Sequence, residues 1–183
     1  MSAMVRRLMI GSAFGAGLAL AAPLLAQALA NHNTNAPVDV EADRIEVQDR
    51  ADRAIFSGNV RVKQSDLTMN AARLTVAYAN QRGSGVDIER LDAAGGVTVR
   101  SPSETARGQF AIYDLNRRQI TMIGGVVLEQ GANVIRGGRL VIDLNSGRAI
   151  VDGSAVGGAP GTASSGRGGR VTGRFSVPQR KGS

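Results

Sequence analysis

The chain has 183 residues, with 22 basic and 15 acidic side chains, four Phe, two Tyr, and neither Cys nor Trp. All fifteen acids lie between residues 31 and 153 and are matched there by fifteen bases, so the net charge of +7 belongs to the two ends. A neutral middle argues against the clustered basic groove that nucleic acid requires, and the lack of Cys excludes a disulfide framework, a thiolate metal site and a cysteine nucleophile.

Residues 1–30 have the three parts of a secretory signal peptide. Arg6 and Arg7 give a positive start, Leu8–Leu25 is an uncharged apolar run, and Ala26-Gln27-Ala28 and Ala28-Leu29-Ala30 are overlapping small-x-small cleavage sites. A permanent membrane anchor is the competing account, but the run is near the lower length limit for a span and Pro23 interrupts it. The mature chain is expected to begin near Asn31, with cleavage after Ala28 or Ala30, and residues 31–37 read as a flexible leader holding the single histidine, His32. From there to residue 153 the chain reads as one small all-β domain.

Apolar residues then alternate with polar ones. The period of two runs through Asp39–Val47, then Phe56, Val60 and Val62, then Leu67 and Met69, Leu74 and Val76, and Val97 and Val99. It continues through Phe110 and Ile112, Ile120, Met122, Val126 and Leu128, and finally Leu140, Ile142 and Leu144. Such alternation predicts half-buried antiparallel strands. Turn-forming clusters separate them at 49–52, 80–85, 101–103, 115–118, 131–133 and 145–147. Parity slips between Met69 and Leu74, at Ala71-Ala72, and Gly137-Gly138 occupies the matching place later, which predicts a bulge or bend within long strands of a jellyroll-like double sheet.

An internal repeat underlies the pattern. Gly58-Asn59-Val60-Arg61-Val62, Gly95-Gly96-Val97-Thr98-Val99 and Gly124-Gly125-Val126-Val127-Leu128 align without gaps. Their continuations reach Asn70-Ala71-Ala72-Arg73-Leu74, Arg107-Gly108-Gln109-Phe110-Ala111 and Arg136-Gly137-Gly138-Arg139-Leu140, and Arg148–Gly153 echoes Arg53–Gly58. Each unit is a strand pair that must stack on its neighbour, so the stack has two end strands open to pairing, near Val38–Val47 and near Leu140–Val151. Asp39, Glu41 and Asp43 on one parity discourage random edge association. Residues 154–183 are rich in Gly, Ser and Arg and read as a mostly disordered tail, within which Val171–Val177 suits a short strand for a partner or a basic contact with anionic lipid.

The leader, the Gly-Asn/Gly-Val-x-Val/Leu repeat preceded by Ala42-Asp43-Arg44-Ile45-Glu46-Val47, and the Asn-Ala-Ala-Arg-Leu and Arg-Gly-Gly-Arg-Leu bends resemble the LptA/OstA-like family over residues 38–153. The resemblance implies an antiparallel V-shaped β-jellyroll of repeated hairpins, open at both ends, with no cofactor and no catalytic residues. It implies a periplasmic bridge that carries lipopolysaccharide acyl chains in an apolar groove. Domains of the family join end to end by strand pairing, a head-to-tail homo-oligomer included. The N-terminal edge would meet an LptC-like inner-membrane component and the C-terminal edge an LptD-like outer-membrane component. The lipid-lining set is then Ile45, Val47, Phe56, Val60, Val62, Leu67, Met69, Leu74, Val76, Val97, Val99, Phe110, Ile112, Ile120, Met122, Val126, Leu128, Leu140 and Ile142. The same residues would serve as a plain core; in this architecture the two roles coincide. Arg61, Lys63, Arg73, Arg100, Arg136 and Arg139 either meet sugar phosphates at a groove rim or are simply solvated.

Sharper chemistry finds no support. His32 stands alone in a polar stretch, Ser57, Ser101 and Ser103 have no histidine partner within the fold, and Asp39, Glu41 and Asp43 suit an exposed strand face better than a metal. The function the resemblance implies is non-enzymatic carriage of lipopolysaccharide. A structural β-repeat protein that self-assembles and carries nothing is the alternative, as is an LptC-like relative that keeps its N-terminal helix as an anchor.

Overall fold

A computed structural model describes residues 32–81, 85–153 and 170–176. The leader with its cleavage sites and most of the tail lie outside them. Ten antiparallel strands follow in chain order: β1 Asp39–Glu41, β2 Arg44–Gln48, β3 Arg53–Gln64, β4 Leu67–Gln81, β5 Gly85–Arg100, β6 Glu104–Asp114, β7 Gln119–Gln130, β8 Asn133–Asp143, β9 Arg148–Asp152 and β10 Thr172–Arg174. Consecutive hairpins give the order β3-β4-β5-β6-β7-β8. At one end both β1 and β2 pair with β3, on its two halves; at the other, both β9 and β10 pair with β8. The sheet does not close, so it is an open jellyroll.

The turns expected at 49–52, 101–103, 115–118, 131–133 and 145–147 join the strands, the tip of the one expected at 80–85 lies outside the described residues, and one more appears: Ser65-Asp66, with Ser65 at φ 52°, links β3 to β4. The repeat marks the place where each long strand bends. Gly58-Asn59, Gly95-Gly96 and Gly124-Gly125 all have positive φ, between 46° and 88°. That conformation is costly for most side chains and open to Gly and Asn. Register shifts fall at the same level in every ladder from β3 to β8. The expected irregularities at Ala71-Ala72 and Gly137-Gly138 are there too, opposite the corners of β5 and β7. Small residues are needed at that level because a Cβ on Gly95 would stand 2.7 Å from that of Ala72.

The bend divides the sheet into two limbs of eight strands or half-strands. One runs from β1 through Val60–Gln64 to β10, the other from β2 through Arg53–Ser57 to β9. The limbs face each other. Tyr113, in the second limb, donates from its hydroxyl to Gln64 Oε1 in the first at 2.8 Å. Val99 and Leu128 of the first limb share a cavity of about 10 Å³ with Ile142 of the second. One continuous core results, with Leu74, Leu91, Ile120, Met122 and Leu140 wholly inaccessible.

Two segments depart from expectation. Residues 32–36, read as part of a flexible leader, are tied down: Gln64 Nε2 donates to the carbonyls of Thr34 and Ala36, at 3.0 and 2.9 Å. Thr172–Arg174, within the Val171–Val177 segment read as either a short strand for a partner or a basic contact with anionic lipid, pairs with Val134–Arg136 of its own chain.

Candidate functional site

Cross-strand neighbours share a face, so the register assigns every inward side chain. In the first limb a row runs Val40, Val62, Met69, Val99, Ala106, Leu128, Ile135. In the second, one row runs Ile45, Phe56, Leu74, Ala93, Ala111, Met122, Leu140, Val151. Its neighbour runs Val47, Ala54, Val76, Leu91, Tyr113, Ile120, Ile142, Ala149. Seven inter-strand steps of about 4.8 Å carry each second-limb row roughly 34 Å across the molecule. None of these positions carries a charge.

Seventeen of the nineteen residues predicted as lining face inward along these rows or beside them, Val60, Leu67, Val97 and Val126 among the latter. Fourteen are buried, and Phe56 is partly buried against the core. Ile45 and Val47 are the exception in exposure: each is 57 % exposed because β2 is an end strand with nothing stacked beyond it. They mark the open mouth of the inner rows.

Phe110 and Ile112 are corrected. The unpaired residue at Gly108-Gln109 shifts the parity of β6, so Ala111 and Tyr113 turn inward. Phe110 and Ile112 stand on the outer face, in a shallow depression with Arg73, Thr75 and Ile123, and Phe110 is 55 % exposed. The six basic residues weighed as a groove rim also lie on the outer face by alternation, five of them exposed and Arg139 half-buried beside Asp152, 3.9 Å away.

Polar groups that the sequence did not signal close the side where the limbs meet. Gln64 is buried, taking the Tyr113 hydroxyl and lying 3.1 Å from His32 Nε2. His32 is buried too, with Nδ1 2.8 Å from Asp66 Oδ1. Burial pushes the Tyr113 hydroxyl up to about 12, so it remains a donor across the physiological range. Further along the seam, Glu104 is buried; its Oε1 accepts from Gln130 Nε2 at 3.0 Å, while Oε2 has no partner. Desolvation raises its pKa. A polar Ser-Pro-Ser-Glu run gave no hint that Glu104 would be covered; the alternation Glu104, Ala106, Gly108 was the available signal.

The arrangement offers long uncharged aliphatic rows, a mouth at one end and a hydrogen-bonded seam. Comparison with known proteins agrees with the architecture. The family model described as LptA/(LptD N-terminal domain) LPS transport protein matches residues 39–148. An uncharacterized protein of Rhizobium meliloti is 34% identical over 149 residues, 75% of this chain and 80% of that protein. The LPS-assembly protein LptD of Yersinia enterocolitica is 28% identical over 89 residues, 49% of this chain but only 11% of LptD. Among solved structures, LptH of Pseudomonas aeruginosa, described as the LptA homologous periplasmic component of the lipopolysaccharide transport device, matches with a TM-score of 0.64. It is 18% identical, and the match covers 80% of this chain and 99% of LptH.

Proposed function

The chain belongs to the LptA/LptD N-terminal domain family of LPS transport proteins, and we propose that it is a periplasmic bridge whose inner rows hold the acyl chains of lipopolysaccharide. The observation that carries this role is the continuity of the rows from Ile45 and Val47 at one end strand to Ala149 and Val151 at the other. Each acyl methylene taken from water against such a lining gains about 0.8 kcal/mol. The limbs are in contact, so cargo enters by parting them along the seam and takes the place of contacts between limbs. The β1/β2 edge receives an LptC-like component and the β9/β10 edge an LptD-like one, by strand pairing. The leader directs export and is removed.

Photo-crosslinking in cells tests the role. A crosslinker at Val62, Met122 or Ile45 captures lipopolysaccharide, and one at Phe110 or Arg61 on the outer face does not. Capture from the outer positions alone would overturn the proposal. The intact mass of the exported protein checks the leader: loss of residues 1–28 or 1–30 marks a free bridge, and their retention an anchored relative.

A further inference from the structure

Residues 32–36 cross the seam between the limbs. The segment is fixed to the first limb at both ends. On its C-terminal side Val38 packs against the core and Asp39–Glu41 pair with β3. On its N-terminal side His32 folds back onto the end of β3 and the turn after it. Its Nδ1 lies 2.8 Å from Asp66 Oδ1 and its Nε2 3.1 Å from Gln64 Oε1. Between these anchors the chain makes a turn of its own: the Ala36 N–H donates to the Asn33 carbonyl at 3.2 Å, and the Asn35 N–H to Asn33 Oδ1 at 3.1 Å. The turn holds Asn35 out to the second limb, where Asn35 Oδ1 accepts from Arg118 Nη2 at 3.1 Å. Arg118 sits in the turn between β6 and β7.

Gln64 is the centre of the arrangement. Its Nε2 donates to two carbonyls of the strap, Thr34 and Ala36, which fixes the orientation of the amide. Oε1 therefore faces both the Tyr113 hydroxyl and His32 Nε2. A carboxylate and an amide oxygen are both acceptors, so His32 makes its two bonds only with a proton on each ring nitrogen. One buried side chain of the first limb thus holds the strap and the second limb together.

We propose that residues 32–36 are a latch over the seam: closed, they hold the limbs together through Gln64 and Arg118; released, they let acyl chains pass sideways between the limbs. The inference rests on the carriage of lipopolysaccharide proposed above.

Two features suit a latch that moves. Its contact with the second limb is a single exposed hydrogen bond, which water replaces at little cost, whereas β1 keeps its own ladder to β3 when the strap swings out. Arg118 also donates from Nη1 to Asn145 at 3.3 Å, so the catch on the second limb stays in place without the strap. Acyl chains fit only between parted limbs, so cargo favours the released state, as a ligand that shifts a two-state equilibrium must.

The rate at which the exported chain takes up purified lipopolysaccharide, read by gel filtration over time, tests the latch. The chain has no cysteine, so Asn35→Cys with Arg118→Cys gives one reactive pair. A bis-methanethiosulfonate bridges the gap the arginine side chain leaves, and reduction removes it. Bridging should slow uptake by roughly fivefold or more and reduction should reverse this, as expected when a lid sets the rate. Each single cysteine treated alike should not be slowed. Asn35→Ala and, separately, His32→Ala should take up lipid about twofold faster or more, while far-ultraviolet circular dichroism stays β-rich. Equal uptake by the bridged and reduced chains would overturn the latch and leave carriage standing. So would slow uptake by the bridged chain with no gain in either alanine variant, since the strap would then not be what holds the limbs. If even the unaltered chain retains no lipopolysaccharide, carriage itself fails and the latch falls with it.

Discussion

The middle of the stack and its N-terminal edge are lined by the same kind of side chain and live in different surroundings. Leu140 and Ile45 sit in one inner row, yet Leu140 is wholly buried and Ile45 is 57 % exposed. The difference comes from what lies opposite and beyond. Leu140 is packed into the core between the limbs, whereas Ile45 belongs to a strand with no further neighbour. Filled core and exposed mouth are thus two conditions of one surface, set by coverage rather than by residue type.

The largest expected effect separates the two positions directly. Leu140→Ala leaves a cavity in the filled middle and should cost about 2–5 kcal/mol in urea unfolding. A loss below about 1 kcal/mol would mean that the middle is already loose enough to admit cargo without rearrangement.

Next comes the corner that lets the limbs face each other. Gly124 has φ 88°, and a Cβ there would stand 2.8 Å from that of Gln109. Gly124→Ala should cost about 1–3 kcal/mol, from the left-handed backbone and the close approach together. Thermal unfolding reads this as a lowered Tm; an unchanged Tm would show that the bend is not held at the repeat glycines.

A smaller effect concerns the seam. Burial holds the Glu104 carboxyl above its ordinary value, so the folded chain binds that proton more tightly than the unfolded chain does. Its contribution to stability is then greatest at low pH and falls as pH rises from the ordinary carboxyl value through the raised one. Glu104→Gln should accordingly stabilise the chain at pH 7 by ~1 kcal/mol, with the gain vanishing near pH 4. Equal unfolding midpoints for both chains at pH 7 would show that Glu104 is solvated.

The smallest effect on stability belongs to the mouth. Ile45→Ser should change stability by less than about 0.5 kcal/mol, as exposed substitutions do. It should nevertheless reduce lipid capture by a crosslinker at Val47. A stability loss as large as that of Leu140→Ala would erase the distinction between the two regions.

Alternation made the strands legible because a half-buried strand can hardly be written otherwise, and the repeat located the corners because few residues accept positive φ. The inward face was legible wherever parity ran unbroken, as along Ile120, Met122, Val126 and Leu128. It failed at Phe110 and Ile112, where one unpaired residue beside Gly108 reverses the faces without altering the look of the alternation. His32, Gln64 and Glu104 were missed for a different cause. Each is polar and locally unremarkable, and its side-chain hydrogen bonds reach residues at least 26 positions away in sequence, among them Asp66, Tyr113 and Gln130.

By itself the sequence determined an antiparallel all-β chain of repeated hairpins with aliphatic rows and two pairable ends, since these follow from period, turn chemistry and repetition. Only the tertiary structure decided which half of each strand looks at which, where the seam closes and that the tail returns to β8. Those outcomes depend on contacts between distant segments, and no local pattern encodes a partner that lies a whole hairpin away.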